Sequence, residues 1–286
     1  MNKRKYLAGP YLLWAVGFII LPLLMIIYYG FTSADGGFTL ENLLAIGNPI
    51  HYKALGQSLL IAFGSTCISL VIAYPLAYIL SKNQGSKKGI IIMLFVLPMW
   101  INFLLRVLAL QMILANTGIL NGILNFFGLP SQHLLYTRTA ILIGMTYDYL
   151  PFMILPIYNA MCKIDRDLIH AAADLGAGNK LIFRKIILPL SMPGVISGII
   201  MVFVPSISEF AIADILGGSK ILLIGNVIEQ EFSLTSNWNL GSGLSIVLMI
   251  FIFISMAIMN KNDAEGEGQI CLLYTSPSPR DSTSSR

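Results

Sequence analysis

Charge is scarce in this chain: of its 286 residues only 11% are Asp, Glu, Lys or Arg, where soluble domains carry about a quarter. With 56% hydrophobic residues and a mean hydropathy of +0.77, so much apolar surface cannot be hidden in a water-soluble core. The chain reads as a membrane protein. Cysteine is equally sparse, since Cys67 and Cys162 lie in or beside apolar segments and Cys271 in a polar tail, so no disulfide framework is implied. A formal net charge of +4 is too small to point to nucleic acid. There is no phosphate-cradling Gly-Lys-Ser/Thr loop, so ATP hydrolysis by that route is excluded. His and Cys never cluster at metal-ligand spacing, and no Ser/His/Asp set shares one face. The weak alternatives left open are an intramembrane enzyme and a channel or receptor subunit.

What the chain has in abundance is long apolar runs. Six are near the roughly 20 residues a helix needs to cross about 30 Å of hydrocarbon, placed near residues 11–30, 57–80, 89–113, 138–161, 189–213 and 241–260. This predicts an all-α polytopic fold. The basic start Lys3-Arg4-Lys5 would suit a signal peptide, but the first run is long and ends in Ile27-Tyr28-Tyr29-Gly30 without a small-x-small cleavage site, which favours a retained helix. Lys and Arg then set orientation. Lys3, Arg4, Lys5, Lys82, Lys87, Lys88, Lys163, Arg166, Lys180, Arg184, Lys185 and Lys261 fall in one set of connections, and only Lys53, Arg138 and Lys220 in the other. Both termini are therefore expected in the cytoplasm.

Beyond Asn260 the chain turns polar. Residues 261–270 read as a cytoplasmic tail. The run CLLYTSPSPRD, Cys271 to Asp281, resembles the translation of a transposase-type sequencing adapter, so 271–286 is set aside as a probable sequencing artefact. Removing Arg280, Arg286 and Asp281 lowers the net charge from +4 to +3.

Between the fourth and fifth runs lies HAAADLGAGNKLIFRKIILP, His170 to Pro189. Ile164 to Leu175 fits a short helix with Asp165 and Asp167 in its first turn, where the helix dipole favours acids. Ala171, Ala172 and Ala173 bare part of its surface to close approach. Gly176 permits a sharp turn, Asn179 to Ile187 reads as a second short helix, and Pro189 suits the opening turn of the fifth span. Such a cytoplasmic helix-turn-helix is shaped as a docking surface, the alternative being an amphipathic loop lying on the lipid interface.

This stretch resembles the signature loop of ABC-transporter permeases of the binding-protein-dependent importer class: Glu-Ala-Ala, three residues, Gly, nine or ten residues, then Ile-x-Leu-Pro. Ala171, Ala172, Gly176, Ile187, Leu188 and Pro189 match it, with Asp174 inside the motif, while His170 stands where the family's Glu is usual. The resemblance implies a type I (MetI-like) permease whose loop 162–188 couples to a cytoplasmic ATPase. The runs Leu97 to Leu124, Tyr149 to Met161, Leu188 to Phe210 and Leu216 to Ile228 extend the resemblance to spermidine/putrescine permeases. It implies alternating-access import of polyamines across the inner membrane, with a second permease subunit, two ATPase subunits that carry ATP and Mg, and an external polyamine-binding protein. No cofactor is expected on this chain. Related permeases of similar design carry sulfate, molybdate or iron, and substrate choice rests largely with the binding protein.

Ionisable groups within spans cost about 2.5–3.5 kcal/mol at mid-membrane, so they face partners or wet cavities. Asp148, Glu209 and Asp214 are the candidate carboxylates for a polycation, with Trp100, Tyr147 and Tyr149 as candidate cation-π faces. The competing reading pairs Asp148 with Arg106, makes Asp214 interfacial and gives the three aromatics packing roles. His51 and His133 read as plain outer-loop residues. Pro98, Pro151, Pro156 and Pro205 interrupt spans, where prolines can mark moving helices or be ordinary membrane-helix residues.

Overall fold

The computed structural model describes residues 13–33, 36–82, 93, 95, 97–218 and 220–260. The reading of 261–286 lies outside these. Among the described residues six helical stretches are long and apolar enough to cross a membrane: Leu13–Gly30, Pro49–Lys82, Phe103–Phe126, Arg138–Cys162, Asn179–Ser208 and Trp238–Met259. Among the described residues the only β pairing is a lone bridge between Thr32 and Phe38.

The first span is α1 (Leu13–Gly30). A short outer helix, α2 (Glu41–Leu44), leads to α3 (Pro49–Lys82). Asn48 caps α3 by accepting from the Ile50 amide at 3.2 Å, and Pro49 suits the first helical position because its missing N–H would be unpaired there anyway. At 34 residues, α3 is about 51 Å long and overshoots the expected 57–80 at its outer end. His51 is thereby a buried helical residue whose ring meets Ala45 O at 2.6 Å, rather than a plain loop residue.

Of the expected third span 89–113, residues 89–92, 94 and 96 lie outside the described residues, and a regular helix, α4 (Phe103–Leu114), begins after Asn102, whose side chain accepts from Leu105 N at 3.3 Å. The Pro98-containing turn Leu97–Trp100 precedes it. Beyond a break at Ala115–Gly118 the chain continues as α5 (Ile119–Phe126). Buried Asn121 closes this break, donating to Ala115 O, Asn116 O and Gln132 O and accepting from Gln132 N.

The fourth span, α6 (Arg138–Cys162), is the hub. It starts at Thr137, which accepts from Ala140 N, and 61% of its most apolar window is buried, against 6% for α1 and 11% for the third span. Pro151 and Pro156 sit inside it without ending it. The short helix α7 (Arg166–Asp174) follows, then α8 (Asn179–Ser208). On α8, Gly194 and Gly198 face α6 so closely that a Cβ at Gly194 would lie 2.6 Å from Pro156 O, and one at Gly198 3.2 Å from Met153 O. Small residues four apart let two membrane helices touch through their backbones. The expected second short helix and the fifth span form one helix. A π-helical turn at Phe183–Ile187 carries the chain into Pro189, and such a turn absorbs a proline that cannot donate.

At its outer end α8 stops at Ser208, short of the expected 213, because Glu209 adopts extended backbone with ψ 129°. Two short helices, α9 (Ala211–Gly217) and α10 (Ile224–Ser233), intervene before the last span, α11 (Trp238–Asn260). α1 packs along α11: a Cβ at Gly30 would lie 3.4 Å from the backbone of Ser242 and Gly243.

Candidate functional site

Two places carry unusual geometry, one at each end of the bundle. The first is α7. Asp165 caps it by accepting from Asp167 N at 2.9 Å. It ends in a Schellman turn, with Gly176 N donating to Ala173 O at 2.9 Å, Ala177 N donating to Ala172 O at 3.0 Å and Gly176 at φ +81°. That left-handed φ is where glycine avoids a Cβ penalty. The motif residues divide. His170, Ala171, Asp174 and Gly176 are exposed and Ala172 is half-buried, whereas Ile187 is buried, Leu188 half-buried and Pro189 exposed, all three within α8. Arg166 reaches α3 by donating to Ser81 O at 3.4 Å. Beneath α7 lies a cavity of about 230 Å³ lined by Lys82, Arg166 and His170 among others, so an imidazole and two cations share it.

The second place is the break at Glu209. Its carboxylate accepts from Tyr149 Oη at 2.6 Å and, through the other oxygen, from the Ile212 amide at 3.1 Å. Glu209 thus caps α9, whose N-terminal amides and dipole favour an anion, and ties that helix to α6. Asn226 holds the second wall, donating to Phe210 O at 3.0 Å and Asp214 Oδ1 at 3.1 Å and accepting from Leu223 N at 3.3 Å. Ser58 on α3 accepts from Ile224 N at 2.8 Å. Gly225 is required by close approach, since a Cβ there would lie 2.5 Å from Ser208 O and 3.0 Å from Glu209 O.

The candidate carboxylates therefore have three different situations. Asp148 is buried on α6 and forms an ion pair with Arg106 of α4, Nη2 to Oδ1 at 2.8 Å. A buried pair of this kind holds its two helices together, and its charge is cancelled locally. Glu209 is half-buried and makes no ion pair among the described residues. Asp214 is exposed and bound to Asn226. Of the aromatics only Tyr149 joins an acid. Tyr147 is 45% exposed and Trp100 78% exposed, and neither takes part in the Glu209 contacts. Asn226, Ser58 and Gly225 were missed from the sequence. Gly225 and Asn226 did stand in the quoted Leu216 to Ile228 run, but no spacing rule pairs them with Ser208 or Phe210.

Residues 10–263 match the family described as the binding-protein-dependent transport system inner membrane component. The chain belongs to this family. It is a multi-pass permease component. Over 241 residues it is 40% identical to the spermidine/putrescine transport system permease protein PotB of Haemophilus influenzae, covering 82% of this chain and 84% of that one. Identity to the protein of the same name from Escherichia coli is 37%, over 82% and 88%. The fold also matches a solved bacterial alginate ABC transporter, bound there to an alginate-loaded periplasmic protein, with a TM-score of 0.71 at 16% identity over 91% of this chain and 94% of that one. A second structure of a bacterial ABC importer of alginate gives 0.73 at 14% identity. These neighbours establish the helical permease fold.

Proposed function

We propose that this chain is a permease subunit of an ATP-driven importer that moves spermidine and putrescine inward across the cytoplasmic membrane by alternating access. The observation that carries the reading is Glu209: a half-buried carboxylate at a helix break, oriented by Tyr149 and the α9 amides and unneutralised by any cation among the described residues. An ammonium ion arriving there meets a charge already aimed and already desolvated in part. Asp148 is assigned to structure instead, because Arg106 occupies it. The resemblance to polyamine permeases supports the substrate class.

In this reading Arg166 and the helix run from Asn179 to Ser208 convey motion from α7 to the membrane. The exposed face His170 to Gly176 docks on one of two cytoplasmic ATPase subunits, which bind ATP and Mg. A second permease subunit completes the pathway, an external binding protein delivers the polyamine, and both termini of this chain face the cytoplasm.

The test is uptake of labelled spermidine and putrescine into proteoliposomes holding this chain with its partner permease and ATPase, with and without binding protein and ATP. Uptake is expected to require both, and Glu209→Gln to lower kcat/KM by about tenfold or more, the cost of losing a charge-assisted contact. ATP-independent passage would assign the chain to the channels, and unchanged flux in Glu209→Gln would remove that residue from the pathway.

A further inference from the structure

A cavity of about 490 Å³ opens between α10 and α11, next to the break but separate from the Tyr149–Glu209 contact. Its walls are mostly apolar and include the rings of Phe210, Phe232 and Phe253, with Ser245 and Met249 on the α11 side. One carboxylate lines it: Glu229. Glu229 is half-buried and, among the described residues, makes no hydrogen bond or ion pair. A carboxylate in that position has its oxygens open to a cation entering the cleft.

Position supports the same conclusion. α8 rises about 30 Å from Leu188 to Ser208, so Ser208, which also lines the cavity, stands near the outer membrane boundary. On α11, Ser245 and Phe253 lie about 10 and 22 Å along the helix from Trp238, so the cleft runs down the flank of this span past its midpoint. Ser208 and Phe210, the chain neighbours of Glu209, form its upper wall. Glu229 thus lines an aromatic-walled slot whose rim residues Ser208 and Phe210 flank Glu209 in the chain.

We propose that this cleft is a second station for the substrate, specific for alkyl diammonium ions. Glu229 takes one ammonium by a charge-assisted hydrogen bond. The methylene chain packs between the phenylalanine rings, whose faces also attract the ammonium groups. The other ammonium is left toward Glu209. An anionic solute would be repelled by the carboxylates, and a monoamine would satisfy only one of them. The inference rests on the polyamine reading above.

The experiment uses the assembled complex in lipid nanodiscs. The chain carries Met249→Cys with its own cysteines replaced by serine, and alkylation of the introduced thiol is followed. Spermidine and putrescine are expected to slow alkylation by about tenfold or more, whereas butylamine does not. Glu229→Gln is expected to abolish the protection and raise KM for spermidine by a similar factor with kcat little changed, and Glu229→Asp to keep part of both. Equal protection by butylamine, or an unprotected thiol in a complex that still imports polyamine, overturns this inference and leaves the parent reading standing. The same holds for a Glu229→Gln chain with unchanged protection and KM. A wild-type complex that imports no polyamine overturns both.

Discussion

The two ends of the bundle are built by opposite means. At the α7 end the bonds that start and stop the helix are local: Asp165 to Asp167, Gly176 to Ala173, Ala177 to Ala172. At the Glu209 end the bonds span 60 residues between Tyr149 and Glu209 and 166 between Ile224 and Ser58. A locally closed turn keeps its shape while leaving its side chains exposed, as a surface for another protein requires. A break stitched by distant residues keeps its shape only inside the assembled bundle, where it can hold a carboxylate partly out of water. One end suits docking, the other suits binding.

Four substitutions separate these ends from each other and from the structural core. Asp148→Ala is expected to be the most damaging, costing about 3–5 kcal/mol by leaving Arg106 buried and unpaired. A sharp drop of Tm in detergent would show it, and the double change Arg106→Met with Asp148→Leu should recover most of the loss. Retention of polyamine flux by that double variant would keep Asp148 out of the pathway. Gly225→Ala should cost about 1–3 kcal/mol, since its methyl meets the rigid Ser208 carbonyl and forces α10 away from the break. Thermal unfolding with and without spermidine checks it, with both the Tm and the spermidine-induced rise expected to fall. At the other end, Gly176→Ala places a Cβ at φ +81° for about 1–2 kcal/mol of local strain. Global Tm should barely move while binding-protein-stimulated ATP hydrolysis falls, and unchanged hydrolysis would argue that the turn's shape is not used. The smallest effect on stability is expected from His170→Glu, within about 0.5 kcal/mol because the residue is exposed. Its readout is ATPase affinity, measured by titrating the ATPase into permease-containing nanodiscs. A change there without a change in Tm would place His170 at the docking surface.

Legibility followed the same division. α7 could be anticipated to within two residues because its signals sit next to one another: acids at the start, glycine at the stop. Helix run-on at Asn179–Ser208 could not, because proline reads locally as a start, and only the π turn before it keeps the helix continuous. Glu209 was legible as an intramembrane acid but not as a helix break, since the apolar run continues unbroken through Phe210 to Ala213. What ends α8 there is the pull of Tyr149 and the α9 amides on one carboxylate. Glu229 was invisible as a site residue, lying in a segment read as outer loop, until α10 folded back against α11.

The sequence by itself determined the all-helical membrane class, the number of apolar crossings and the turn at Gly176, because hydrocarbon thickness and local capping are read along the chain. Tertiary structure decided which acid is neutralised, which is hydrogen-bonded without a cation among the described residues and which faces the cleft. Those outcomes depend on what distant helices bring within 3 Å of a carboxylate, and in a low-dielectric interior that neighbour sets whether a charge serves as structure or as a site.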